Sequence, residues 1–230
     1  MQLADGIWMV DQLNASGVFL VAAPNGLVIV DSGIRGSVPQ ILNAVRQAGY
    51  RPPDVQLLAM THAHVDHIGS LPELQQATGA PIAAAAGEAA AIEGRAPLPH
   101  PPGLLGLVFQ TLTSSMRPAP TPVQQILEPN AAIAEMPGWF SISTPGHTPD
   151  HISFYHRDRQ LLIVGDAIAN LGGLRRSPRV FTSNMRQAKA TVALLAGLPL
   201  RSIAFGHGAP IIDDSSLHDQ LAALAGRERS

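Results

Sequence analysis

The stretch LAMTHAHVDHIG, residues 58–69, sets His62, His64, Asp66 and His67 at the end of an apolar run. In an extended segment, residues two apart point the same way, so His62, His64 and Asp66 can converge on one side while His67 follows where the chain turns into a helix. A lone histidine on an apolar face is ordinarily a packing residue. Three within six positions, interleaved with an aspartate, read instead as a ligand cluster whose geometry suits two adjacent metals better than one.

Working outward, VQLLAM reads as the buried strand that delivers these histidines. Upstream, the β-rich runs Val18 to Ala22 and Leu27 to Asp31 flank a Pro-Asn-Gly turn and predict a hairpin. Ser37 is placed to cap a helix with Pro39 in its first turn, an apolar stripe of Ile41, Leu42, Val45 and Ala48, and Gly49 as its stop. Downstream, SLPELQQATG and EAAAIEG have helical composition, and PIAAAAG reads as a short strand. FSIST, HISFYH, QLLIVGD and SIAFGHG are short apolar runs that break at histidine, glycine or aspartate, where chemistry collects on loops. Helices are predicted between Asn184 and Gly197, with Ala188, Val192 and Leu195 inward, and in the tail through Leu217, Leu221, Leu224 and Ala225. This alternation predicts an α/β layered fold in one domain over residues 1–230, its halves sharing a strand-rich, then helix-rich order.

Residues 96–122 break the pattern: seven are proline, yet the middle, GLLGLVFQTLTSSM, is strongly apolar. The segment is expected either to pack its middle on the core or to form a lid, a pocket wall or a subunit contact, so a homodimer is one expected assembly.

Hydrophobic residues make up 46% of the 230-residue chain and charged residues 14%, a globular balance, with an aliphatic core since aromatics are 4%. A net charge of −2 offers no basic face to a phosphate backbone, so no nucleic-acid partner is expected, and Arg175 and Arg176 read as solvated surface. With no cysteine, a metal must be held by nitrogen and oxygen. The opening MQLADGIWMV lacks the marks of a secretory signal, and no apolar run reaches about 18 residues, so a cytoplasmic protein with no membrane partner is expected.

Later runs supply further donors: His147 in STPGHTPDH, Asp166 in IVGDA and His207 in AFGHGAP, each preceded by a glycine that permits tight-loop backbone. Five imidazoles and two carboxylates make a hard-to-borderline set suited to zinc, iron or manganese. HAHVDH, TPGHT, GDA and GHG in this order resemble the metallo-β-lactamase superfamily, and the similarity runs from VDSG at Asp31 to His207. The resemblance implies a four-layer αββα sandwich. It implies that His62, His64 and His147 bind one divalent ion, that Asp66, His67 and His207 bind a second, and that Asp166 bridges them, with zinc the first expectation. A hydroxide shared by the ions would attack the substrate, with Asp66 as the catalytic residue that orients it and passes a proton to the leaving group. Asp31 resembles the family's buried aspartate behind the metals, and His151 its supporting histidine, next to Asp150 where the family commonly has glycine. Thr61 and Thr148 read as structural, and His100, His156 and His218 as surface or packing residues.

Within the family, glyoxalase II carries a basic C-terminal helical region, whereas one short helix follows His207 here. Acyl-homoserine lactonases place a tyrosine three residues after the bridging aspartate, where this chain has Ala169. The apolar GLLGLVF suggests a pocket wall for an acyl group. The expected activity is hydrolysis of a small-molecule ester, thioester or lactone. The alternatives are a phosphodiesterase of the same superfamily and a mono-iron enzyme resembling persulfide dioxygenases.

Overall fold

Alternate side chains of each strand point to opposite faces, and this chain fills both faces with aliphatic residues, so each sheet must be covered twice. The computed structural model describes residues 1–11, 13 and 15–229, with side chains for all of these except 105, 109, 228 and 229. One sheet runs in sequence order through β1 (Gln2–Ala4), β2 (Ile7–Met9), β3 (Phe19–Ala23), β4 (Gly26–Val30), β5 (Val55–Ala59), β6 (Ile82–Ala84) and β7 (Gln125–Ile126). It is antiparallel as far as β4 and parallel from there on. A second sheet uses β8 (Trp139–Ser143), β9 (Ile152–His156) and β10 (Leu161–Ile163). After a small hairpin of β11 (Ile168–Asn170) and β12 (Leu174–Arg176), β13 (Ser202–Ala204) adds to it parallel to β10. The helices are α1 (Val38–Gln47), α2 (Val65–Ile68), α3 (Leu71–Thr78), α4 (Ala86–Ile92), α5 (Leu104–Thr113), α6 (Met185–Ala196) and α7 (Leu217–Arg229), and none among the described residues is long and apolar enough to cross a membrane.

Three apolar clusters separate four layers. Leu20, Ile29 and Leu58 on one face of the first sheet pack against Ile41 and Val45 of α1 and Leu71 and Leu74 of α3. The intervening residues Phe19, Val21, Val28 and Val30 face the second sheet through Trp139, Ile152, Phe154, Leu161 and Ile163. On that sheet's far face, Tyr155, Leu162 and Ile203 pack against Val192 and Leu195 of α6 and Leu217, Leu221 and Leu224 of α7. The result is the expected αββα sandwich. Each half of the chain contributes one sheet and its outer helices, as the repeated strand-then-helix order suggested.

Two local expectations need correction. Ser37 stands at the cap position of α1 but is itself in helical conformation (φ −76°, ψ −13°) and makes no side-chain cap bond; its N–H donates to Ser70 Oγ at 2.9 Å. A cap needs extended backbone to fold its oxygen back onto the first turn. The middle of 96–122 forms α5, and this helix turns Leu104, Leu107, Val108 and Leu112 to solvent rather than into the core. Thr113 and Met116, beyond GLLGLVF, line a cavity, whereas none of the described side chains of GLLGLVF does, against the expectation of an apolar wall there; Leu105 and Phe109 lie outside the described side chains.

Phe154 is fully buried between the sheets. Phe154→Ala is expected to cost about 3–5 kcal/mol of unfolding free energy, measured as a fall in the denaturant midpoint with unchanged slope.

Candidate metal centre

Register brings the donors to one edge. Val30 of β4 pairs with Ala59 of β5 in parallel, and Ile163 of β10 pairs with Ala204 of β13 in parallel, so within each sheet the two donor-bearing chains leave their strands side by side. Asp166 and His207 each lie three residues beyond their paired positions and arrive together: His207 Nε2 is 3.2 Å from Asp166 Oδ2. His147 follows β8 on the loop that returns to β9. All seven predicted donors meet, and their ligand atoms form the groups His62–His64–His147, His62–His67–Asp166 and Asp66–His67–His207, each within 4.8 Å.

Four imidazoles are anchored through one nitrogen, which leaves the other free to face the centre. His67 Nδ1 donates to Asp31 Oδ2 at 2.8 Å, and Asp31 also accepts from the Thr61 N–H and hydroxyl. With the Thr61 hydroxyl donating to Asp31, His62 Nδ1, 3.0 Å away, donates to Thr61 Oγ1. His147 Nδ1 lies 2.7 Å from Ser177 Oγ. His64 is reversed: its Nε2 donates to the Pro99 carbonyl at 3.0 Å, so Nδ1 faces inward.

Those inward atoms test whether a cation fits. His62 Nε2, His67 Nε2 and Asp166 Oδ1 are buried without a hydrogen-bond partner. The inward lone pairs of His64 Nδ1 and His147 Nε2 stand 2.8 Å apart, tolerable only with a proton or a cation between them. A stranded acceptor such as His62 Nε2 costs roughly 1–3 kcal/mol unless satisfied, while His67 Nε2 and Asp166 Oδ1 face each other at 3.3 Å across the place a cation would take, and the nitrogen and oxygen donor set suits divalent ions. The residues fit.

Charge divides the two histidine groups. Burial, then the neighbouring imidazoles, push His62 well below the usual histidine range; His147 is likewise pushed down by burial and by His64. His67 is equally desolvated, but the charges of Asp166, Asp31 and Asp66 outweigh burial and hold it well above that range. Burial opposes the charged form of His207 too, yet hydrogen bonds to Asp166 and Asp66 raise it to about 10. Against its own desolvation, Asp66 is drawn down to about 2 by His67 and His207.

His151 is no ligand. Burial holds it down at about 3, and its neutral Nε2 accepts the Asp166 N–H at 3.1 Å, while Nδ1 lies 2.8 Å from Thr144 Oγ1. His151 thus positions the backbone of Asp166. Asp150, in the family's glycine position, accepts from Gly87 N–H at the start of α4 at 2.7 Å. Gly146 (φ 131°) and Gly165 (φ 56°) have the backbone that tight loops need, but Gly206 is required for space, since a Cβ there would collide with Asp166. His100 and His156 are partly buried and His218 is exposed, all outside the donor groups.

Three supports escaped the sequence reading. Ser177 and Pro99 carry no local signal, because loops far apart in sequence bring them in. Glu88 did carry one, a single acid in the alanine-rich run AAAAGEAAA. It is buried, accepts from Ala63 N–H at 2.8 Å and from the Thr148 hydroxyl, and so clamps the first histidine loop to that of His147. Burial raises its carboxyl to about 7.

The donors open into a cavity of about 460 Å³ lined by His64, Asp66, His147, Asp166 and His207 together with the apolar Ile34, Val65, Met116, Leu171, Pro178 and Phe181. Among its described lining residues there is no lysine or arginine.

Residues 13–207 match the family model described as the Metallo-beta-lactamase superfamily. A probable metallo-hydrolase, YflN, of Bacillus subtilis (strain 168) is 28% identical, over 93% of this chain and 87% of that protein. A hydroxyacylglutathione hydrolase of Fuscovulum blasticum is 30% identical over 73% of this chain, which spans 52% of that longer protein. Among solved structures, BJP-1, a subclass B3 metallo-beta-lactamase of Bradyrhizobium japonicum, superposes with a TM-score of 0.74 at 20% identity, covering 99% of this chain and 90% of that one; at that identity the likeness concerns the fold.

Glu88→Ala is expected to weaken metal binding about 10–100-fold, read by competition with a chromophoric chelator, whereas Glu88→Gln, which can still bridge Ala63 and Thr148, should lose much less. The carboxyl's native value near 7 lies above its ordinary value of 4.5, so its contribution to stability is present at low pH and is lost as pH rises through about 7. Chemical unfolding of the metal-free proteins should therefore show the wild type losing stability relative to Glu88→Gln between those values.

Proposed function

The chain belongs to the metallo-beta-lactamase superfamily as a metal-dependent hydrolase with a histidine-rich site, and we propose that it cleaves small, uncharged, apolar esters, thioesters or lactones at a dinuclear centre. The observation that carries this reading is the cavity: beside the metal-type donors its lining is largely apolar, with Ile34, Val65, Met116, Leu171, Pro178 and Phe181, and among its described lining residues there is no lysine or arginine to hold a charged substrate. A phosphodiester or a glutathione conjugate brings charge that this lining does not match. The relatives called hydroxyacylglutathione hydrolases therefore support the chemistry more than the substrate.

In this reading His62, His64 and His147 hold one ion, Asp66, His67 and His207 the other, and Asp166 touches both. When bound, the pair of ions supplies Lewis acidity and a water whose pKa falls to about 7. The chain's own residues do the rest. Ser177, Pro99, Thr61 and Asp31 fix the imidazole tautomers, so that no ligand reorients during turnover. Asp66, whose Oδ2 faces His207 Nε2 at 3.2 Å, lines the cavity and stays ionised at neutral pH. It accepts a hydrogen bond from the attacking water and aims that oxygen at the carbonyl carbon. Ala169 also lines the cavity and has no hydroxyl for the substrate oxygen, so polarisation of that oxygen falls to the centre itself.

A panel of acyl esters, thioesters and lactones of rising chain length, with a phosphodiester beside it, tests the assignment. For acyl substrates kcat/KM is expected to climb roughly fourfold for each methylene buried, the equivalent of about 0.8 kcal/mol, until the cavity is full. Phosphodiester cleavage without acyl turnover would overturn it, as would one iron per chain with oxygen consumption.

Asp166→Ala is expected to lower metal content and abolish turnover; near-normal activity would contradict its bridging place. Calorimetric titration of the metal-free protein in buffers of different ionisation enthalpy should show two events near neutral pH. The His62–His64–His147 group, already deprotonated, fills with little proton release. The Asp66–His67–His207 group must shed the protons of His67 and His207, so its affinity should rise with pH up to about 10.

A further inference from the structure

Helix α5 is built inside out. Gly106 packs toward His100 and Pro101, with no room there for a Cβ, and Thr113, two turns on, lines the metal-site cavity. The opposite stripe points away from the protein and is apolar: Leu104 is 77% exposed, Leu107 60%, Val108 51% and Leu112 72%. Soluble helices turn such a stripe inward. The patch continues to the cavity mouth, where Met116, Leu171 and Phe181 both line the cavity and reach solvent, with Val180 exposed beside them.

Charge surrounds this patch with one sign. Residues 96–116 carry no charge, and Arg117 follows Met116 directly. On the other side of the mouth, exposed Arg175 and Arg179 flank Leu171 and Phe181 in sequence. Arg117, Arg175 and Arg179 thus bracket the apolar residues of the patch, whereas Arg95 and Arg201 are already paired with Glu93 and Asp213 and add no free charge to it. We propose that the outward face of α5 and the cavity mouth dock on an anionic lipid surface, from which apolar acyl substrates enter the cavity. The second clause rests on the acyl-hydrolase reading; the docking does not.

An apolar stripe with basic flanks is what an interfacial helix presents to anionic headgroups. A second copy of the chain is a poorer occupant, because a two-fold contact is isologous and would set Arg117, Arg175 and Arg179 against the same arginines of the other copy. Closure over the protein's own cavity is excluded by direction, since the stripe lies on the side of α5 opposite Thr113. The proposal revises the expectation of no membrane partner: absence of a spanning segment does not bear on peripheral contact.

The test is co-sedimentation of the metal-loaded full chain with extruded vesicles, either phosphatidylcholine alone or phosphatidylcholine with about 30% phosphatidylglycerol. Partition onto the anionic vesicles is expected, at least tenfold stronger than onto the neutral ones, and reduced by salt. Leu107→Asp with Leu112→Asp should lower it at least tenfold with the thermal midpoint unchanged. Arg175→Gln and Arg179→Gln should each lower it about fivefold and carry the test should the leucine pair unfold. No partition at millimolar lipid, or partition that neither variant set lowers, overturns the proposal. So does a dimer, seen by light scattering, that the leucine pair dissolves. Vesicle binding without cleavage of any acyl substrate overturns the functional reading alone, and cleavage of soluble acyl esters without vesicle binding overturns the docking alone.

Discussion

Asp31 leaves β4 at a φ of 63°, without solvent contact, and its bonding goes to the loop that leaves β5: to the Thr61 N–H, the Thr61 hydroxyl and His67 Nδ1. A buried carboxyl is costly unless its oxygens are hydrogen bonded, and left-handed backbone at a residue other than glycine adds about 1–3 kcal/mol. The arrangement is held because several things agree at once: the parallel register of β4 and β5, the direction of the His67 ring and, through Thr61, the tautomer of His62. The inward atom of His62 is then left without a partner, and that of His67 is held against Asp166 at 3.3 Å, so the protein carries the cost of a stranded acceptor at the place where a cation removes it.

Much of this was legible in the sequence. The hairpin and the strand before the histidines are short continuous apolar runs bounded by turn residues, and the amphipathic helices repeat their apolar residues at 3.6, and packing follows directly from such patterns. The seven donors were legible because each sits directly after an apolar run, where a strand must end. The supports of the donors were not. Pro99 and Ser177 act through a carbonyl and a hydroxyl brought in by distant loops, and no residue type marks a carbonyl. Glu88 was readable as an anomaly, a lone acid among alanines, but its two partners lie 25 and 60 residues away. Ser37 shows the opposite failure: a sound local signal overridden by a tertiary partner, Ser70.

Helix α5 was illegible for a different reason. Prolines on both sides of GLLGLVFQTLTSSM mask its helical character, and its apolar stripe suggested burial because burial is the ordinary fate of such a stripe. Its place beside the cavity gives that stripe another meaning. The family relationship accounts for the chemistry at the strand ends, while this segment and Ala169 give the cavity its own character.

The order of the donors along the chain has a consequence for biosynthesis. His62, His64, Asp66 and His67 belong to the half of the chain that forms the first sheet, and His147 follows His67 by 80 residues, with His207 later still. Neither three-residue donor group, His62–His64–His147 or Asp66–His67–His207, can close from the first half alone. A nascent chain leaving the ribosome therefore offers only weak, incomplete chelators until the second sheet has joined the first. In the reading proposed here, tight capture of the ions comes last and reports that the whole sandwich has been assembled.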